Sequence, residues 1–204
     1  GDSEYSNDCN WLKGSELPSS EILLKQVHLI STERVNLDPS NFELSWGDLS
    51  QETADPFKRA YAQQLLVSLS SNYYDLDKVQ YKGVKHIDAK ISPEPNTQIS
   101  KAWLDTVSES VKWIYSVVDP SVPLQLFVDR LSLEYKKGSS LLNIESSSFS
   151  NCLEQARNNY KFVIAKRSDD YRKELKEIYS DIKTVTDKYM AKSAALTSEF
   201  LKSL

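Results

Sequence analysis

From Phe149 to Leu204 the chain has neither Gly nor Pro, and its apolar residues recur at alternating steps of four and three. Phe149, Leu153, Ala156, Tyr160 and Val163 form a first run, and Tyr171, Leu175, Ile178, Ile182, Val185 and Tyr189 form a second. Lys192 interrupts the pattern, which resumes at Leu196 and Phe200. This spacing gathers the side chains into one stripe on a helix, a seam shaped to take another helix. The two runs do not share a frame, because Val163 and Tyr171 are eight residues apart where a heptad has seven. The offset falls at Arg167-Ser168-Asp169-Asp170. It marks either a register shift within one helix or a turn where Ser168 caps the second arm of a hairpin. The lack of Gly, Pro or Asn in the tetrad favours one helix. Fifty-six helical residues would span about 84 Å, more than a globular body needs.

The rest of the chain alternates short patterned stretches with breakers. Residues 1–18 read as a polar, flexible leader, 19–145 as a mostly helical body with short strands, and 146–204 as the long helix or hairpin. Ile22, Leu23, Leu24, Val27, Leu29 and Ile30 fit neither period cleanly, and suit a short helix after Pro18-Ser19-Ser20 or a strand. Asp38-Pro39-Ser40-Asn41 is a turn, and the alternation of Phe42, Leu44 and Trp46 predicts a short strand. Asp55-Pro56 predicts a helix start with Asp55 as cap. That helix runs through Phe57, Tyr61, Leu65, Leu66 and Leu69 to about Ser71, and Asn72-Tyr73-Tyr74-Asp75 closes it. Val79 to Ile91 is extended around Gly83, as a hairpin or a bulged strand. Trp103, Val107, Val111, Ile114 and Tyr115 predict a helix capped by Thr97 or Ser100. Leu124, Phe127, Val128, Leu131 and Tyr135 predict the next, stopped at Lys136-Lys137-Gly138. Ser148 or Ser150 would cap the long helix. The fold class is mainly α, an α+β arrangement with a small sheet near residues 22–46 and 78–91, followed by a coiled-coil-like C-terminal helix.

Charge is divided unevenly. Residues 149–204 carry 11 Lys/Arg against 8 Asp/Glu, whereas the remainder carries 14 against 21, within a net charge of −4. An acidic body gives no strong nucleic-acid signal. Cys9 and Cys152 are too few and too far apart for a disulfide framework or a zinc site, which points to a reducing cytosol. No run of 18 apolar residues is present. The start at Gly1 and the stop at Phe200-Leu201-Lys202-Ser203-Leu204 raise the expectation of an excised piece, with a membrane span or another domain beyond Leu204. The expected location is the cytoplasm, including the cytosolic face of a membrane.

Chemistry-bearing motifs are sparse. His28 and His86 stand alone, no Gly-x-Ser-x-Gly elbow occurs, and the five glycines make no phosphate loop. Asp88-Ala89-Lys90, on an apolar stretch, is similar to the acid-x-Lys triplet of metal-dependent nucleases of the restriction-enzyme superfamily. That resemblance implies that Asp88 and an earlier acid, Asp77 or Asp75, hold Mg²⁺ while Lys90 activates water or steadies phosphate charge. The chain departs from the pattern by lacking the usual Pro before the first acid, and Pro93 follows the triplet closely. A plain strand edge with exposed Asp and Lys accounts for the same residues. The leading expectation is a non-catalytic interaction or regulatory domain needing no cofactor. It would self-associate, or transmit to a following segment, through Tyr171, Leu175, Ile178, Ile182, Val185, Tyr189, Leu196 and Phe200.

Overall fold

Three tyrosine hydroxyls tie one helix to the rest of the body, two of them at its end. The computed structural model describes residues 16–30, 37–43, 49–94 and 97–203, without the side chains at 194, 197, 199–201 and 203. Helix α1 (Ser20–Leu23) leads into strand β1 (His28–Leu29), and helix α2 spans Asp55–Ser68. Strands β2 (Asn72–Asp75), β3 (Lys78–Lys82) and β4 (His86–Ala89) follow, then helices α3 (Lys101–Tyr115), α4 (Ser121–Glu134) and α5 (Ser146–Ser203). At the end of α2 the Tyr81 hydroxyl donates to the Leu66 carbonyl at 2.9 Å and the Tyr115 hydroxyl to the Ser68 carbonyl at 2.7 Å. The last carbonyls of a helix lack i+4 partners within it. Leu66 also accepts the Leu69 N–H at 3.1 Å, so Tyr81 adds a second bond there while Tyr115 supplies one to Ser68. Tyr61, one face over, donates to Ser108 Oγ at 3.0 Å and joins α2 to α3.

This closure explains why α2 stops at Ser68 rather than near Ser71. Asn72-Tyr73-Tyr74-Asp75, expected as a helix terminator, is instead strand β2, with Tyr73 buried. Adjacent aromatics suit a pleated, half-buried surface better than a turn. The sheet order is β1-β2-β3-β4, with β1 parallel to β2 and the other pairs antiparallel. The ambiguous run from Ile22 to Ile30 uses both options, a short helix and then a strand, with Leu23 and Val27 buried. Phe42 ends a 3₁₀ turn, Pro39–Phe42, in which Asp38 accepts the Ser40 N–H at 3.1 Å; the rest of the strand expected there, Leu44 and Trp46, lies outside the described residues. Asp55 is the first residue of α2 and not its cap. Its carboxylate lies 2.5 Å from Lys58 Nζ, which also donates to the Leu49 carbonyl at 3.1 Å.

Extended structure around Gly83 is a hairpin, with Lys82 opposite His86 and Val79 opposite Ala89. Gly83 lies where α4 crosses the hairpin. A Cβ at this position would sit 2.6 Å from the Val128 carbonyl oxygen and 2.9 Å from the Ser132 side chain. Ser132 Oγ also accepts the Lys85 N–H at 3.2 Å, so the hairpin tip is stitched to the helix. Helix α3 begins at Ser100, whose hydroxyl accepts the Trp103 N–H at 3.1 Å. Gly138 turns the chain out of α4 with φ of 90°, a conformation that favours glycine.

The chain divides into two units, Gly1–Asn159 and Tyr160–Leu204. Helix α5 is continuous through Arg167–Asp170, and the tetrad's acids pair along it, Asp169 with Arg172 at 4.0 Å and Asp170 with Lys173 at 3.8 Å. It begins at Ser146, so Ser148 and Ser150 lie inside it and not at its cap.

Two outcomes follow from this packing. Gly83→Ala is expected to destabilise the folded state by about 1–3 kcal/mol, since backbone on α4 must yield to the new methyl; urea unfolding followed by tryptophan fluorescence measures it. Burial pushes the Tyr61 phenol up to about 12 and raises Tyr81 and Tyr115 further above their ordinary 10.0. The folded chain thus keeps protons that the unfolded chain releases as pH passes 10. Stability should fall with rising pH from there, by at most about 1.4 kcal/mol per pH unit for each such group. Urea midpoints recorded between neutral and strongly alkaline pH check the sign.

Candidate interaction surface

The first turns of α5 and its second half differ in one respect, whether their apolar stripe is covered. Within the first unit, Phe149, Cys152, Leu153 and Ala156 are all buried. The Phe149 ring meets Trp103 of α3 edge-on, with centroids 5.4 Å apart and planes at 80°. The Trp103 indole N–H donates to the Ile144 carbonyl at 2.9 Å, just before α5 begins. Arg157 lies 2.9 Å from Glu109 and rests over the Trp113 ring at 5.6 Å, so α3 meets the same face one turn further on. Cys152 is a free, buried thiol, pushed up to about 12 by burial first and Glu134 second, with Arg130 acting the other way. It is held as an inert neutral group.

In the second unit, by contrast, Tyr171, Ile178, Ile182, Val185, Tyr189 and Leu196 are between 50% and 70% exposed, and Leu175 is half-buried. The side chain of Phe200 lies outside the described residues. Phe162, Ile164, Tyr179 and Met190 are exposed as well, beyond the residues the stripe predicts. Ile164 carries a signal of its own, since it stands seven residues before Tyr171 in the frame of the second run. Thr184 and Thr186 turn their hydroxyls back to the Ser180 and Ile182 carbonyls at 2.9 and 2.8 Å.

The acid-x-Lys residues occupy the exposed face of β4 and the residue after it. His86, Asp88 and Lys90 point outward while Ile87 and Ala89 are buried. Asp88 is engaged within the sheet. Gln80 donates to it at 2.7 Å, and Gln80 accepts from Asn72 at 2.8 Å and from Tyr74 at 3.4 Å, making a polar ladder across three strands. Asp77 sits in the turn between β2 and β3 and accepts from the Ser92 hydroxyl at 2.5 Å. Continuing the β3–β4 register places Asp77 level with Ile91, about 10 Å along the strand from Asp88. Among the described residues no group of three or more His, Cys, Asp or Glu is placed to hold a metal ion. Asp88 and Lys90 thus share this face, while Asp77 stands apart from Asp88 and is engaged with Ser92.

A shallow groove beside the start of α5 is lined by Ser100, Trp103, Asn143 and Ser146 among others. Its polar groups are largely engaged, with Asn143 donating to Glu94 at 3.0 Å and accepting from Thr97 at 3.2 Å. Among the described residues no helix is long and apolar enough to cross a membrane. No family model matches this chain, and neither curated proteins nor solved structures give a match.

Phe149→Ala should lower the stability of the body by about 3–5 kcal/mol, because it opens a cavity against Trp103 in a fully packed site. Denaturant unfolding read by near-ultraviolet circular dichroism, which reports the Trp103 environment, measures the loss.

Proposed function

We propose that this chain is a non-catalytic interaction domain that self-associates through the second half of α5, with Tyr171, Leu175, Ile178, Ile182, Val185, Tyr189 and Leu196 as the contact stripe. The observation that carries the reading is a seam of large apolar side chains at four-three spacing, exposed along the later turns of the 58-residue helix α5. Such a helix draws little stability from propensity alone, and most helices in proteins are held by packing of their amphipathic face. A contiguous exposed apolar surface of this kind marks an interaction site. The flanking residues mix both signs, Arg172, Glu174, Asp181 and Lys188, as suits a seam whose rims stay in water. In this reading the body is a regulatory or adaptor module, and α5 brings copies of it together. A reducing, cytoplasmic setting suits the buried free thiol of Cys152.

Sedimentation velocity across micromolar concentrations tests it. The chain should sediment as a dimer or higher assembly. Ile178→Glu with Ile182→Glu should weaken association by about 100-fold or more, since charge replaces two seam residues in each copy. Near-ultraviolet dichroism of the body should be unchanged, while far-ultraviolet helicity falls as α5 loses its cover. A parent chain that stays monomeric throughout this range would overturn the proposal.

A further inference from the structure

The exposed seam of α5 reads nearly the same in both directions. Carried back by one heptad, the frame of the second run begins at Ile164 and ends at Leu196, with its midpoint at Ser180. Any four-three stripe is symmetric in spacing, so the information lies in which residues occupy it. Ile178 mirrors Ile182 about Ser180, Leu175 mirrors Val185, and Tyr171 mirrors Tyr189. Ser168 mirrors Lys192, so the two polar interruptions of the stripe coincide, and Ile164 mirrors Leu196 beyond them. All of these side chains are exposed except the half-buried Leu175.

On this basis, and resting on the self-association proposed above, we infer that the partner is a second copy of the same helix running antiparallel, with a two-fold axis at the level of Ser180. Each large residue then meets one of matching size, as a self-complementary two-fold interface requires. Lys192 faces the Ser168 hydroxyl of the other copy, which accepts its hydrogen bond. Parallel, in-register pairing would instead set Lys192 against Lys192 inside the seam, a like-charge contact.

The rims point the same way. Antiparallel pairing about Ser180 brings Glu174 to Lys188 of the second copy, twice by symmetry, and leaves Arg172 beside the neutral Thr186. Its cost is Asp181 near its own symmetry mate. Parallel pairing matches each rim residue before the seam with one five positions on: Glu174 with Tyr179, Asp181 with Thr186 and Arg167 with Arg172. That arrangement has no opposite-charge pair there and one repulsive pair.

Pairs of nitroxide labels on single-cysteine variants of the full chain decide the orientation. Lys166, Ser180 and Asp187 lie on the side of the helix away from the stripe and are exposed. Each is replaced by Cys in a Cys9→Ser background; buried Cys152 is kept, and the background chain alone controls for labelling there. Antiparallel pairing predicts the shortest inter-label distance at Ser180. The labels should be offset along the axis by about 21 Å at Asp187 and about 42 Å at Lys166. Near-equal distances at all three positions mean parallel pairing, and a minimum elsewhere means a different register. Either overturns this inference while leaving self-association standing. Absence of inter-chain coupling, together with a wild type that sediments as a monomer throughout the micromolar range, overturns both. Charge reversal gives an independent reading: Glu174→Lys or Lys188→Glu alone should weaken association by about fivefold, and the two together should restore it. A double variant no tighter than the singles would remove the rim pairing and the orientation with it.

Discussion

The edge-on contact of Trp103 with Phe149 is the joint on which the remaining structure depends. The indole does two things at once: its ring packs the first turns of α5 onto α3, and its N–H takes the Ile144 carbonyl just ahead of that helix. A buried tryptophan is costly unless its N–H finds an acceptor, so the chain entering α5 is held by the same group that covers its first apolar residue. Phe149, Cys152, Leu153 and Ala156 then complete the burial, and Arg157 closes the rim through Glu109 and Trp113. This fixes the start of α5 while the stripe beyond it remains exposed.

Helical period is the part of this fold most readable in sequence. Helix α3 is legible because Trp103, Val107, Val111 and Ile114 recur at one face and Ser100 caps them, and all four are buried as that spacing requires. The hairpin about Gly83 is legible for a similar reason, since Val79, Tyr81, Ile87 and Ala89 alternate and are buried. The end of α2 is not. It is set by Tyr81 and Tyr115, whose hydroxyls arrive from β3 and from α3, and neither can be placed near Leu66 and Ser68 by local pattern. Strand β2 is hidden by the same cause, because Asn72-Tyr73-Tyr74-Asp75 has turn composition at its ends and acquires its pairing from β1 and β3. The 3₁₀ turn at Phe42 likewise depends on Asp38 bonding to Ser40, a local hydrogen bond that competes with extension.

The acid-x-Lys triplet illustrates how little three residues carry without their neighbours. Strand alternation correctly sets Asp88 and Lys90 on one exposed face. What alternation cannot convey is the company they keep. Gln80 stands directly opposite Asp88 and uses its amide on that carboxylate, while its own oxygen is taken by Asn72 and Tyr74. The ladder is a self-satisfying surface network that links β2, β3 and β4 on the side away from the core. Asp77 is drawn into a different local bond with Ser92. The donor geometry is that of a sheet rim.

The long helix reverses the relation between legibility and cause. Its stripe is plain in sequence, yet nothing in one chain says what lies on it, because a seam is defined by two surfaces. What one chain does contain is the order of residues along the seam, and order is informative about a partner identical to itself. A stripe meant for a parallel twin need only repeat; one meant for an antiparallel twin must match its own reverse. The second half of α5 meets the stricter condition at five successive pairs, including the pair of polar residues that would be hardest to bury otherwise. In the pairing proposed, those same interruptions, with Tyr171 and Tyr189 in the seam and Asp181 at its rim, would give a seam of moderate strength. A seam made wholly of Leu and Ile would hold its copies together permanently, whereas the proposed pairing would give an assembly whose state follows concentration.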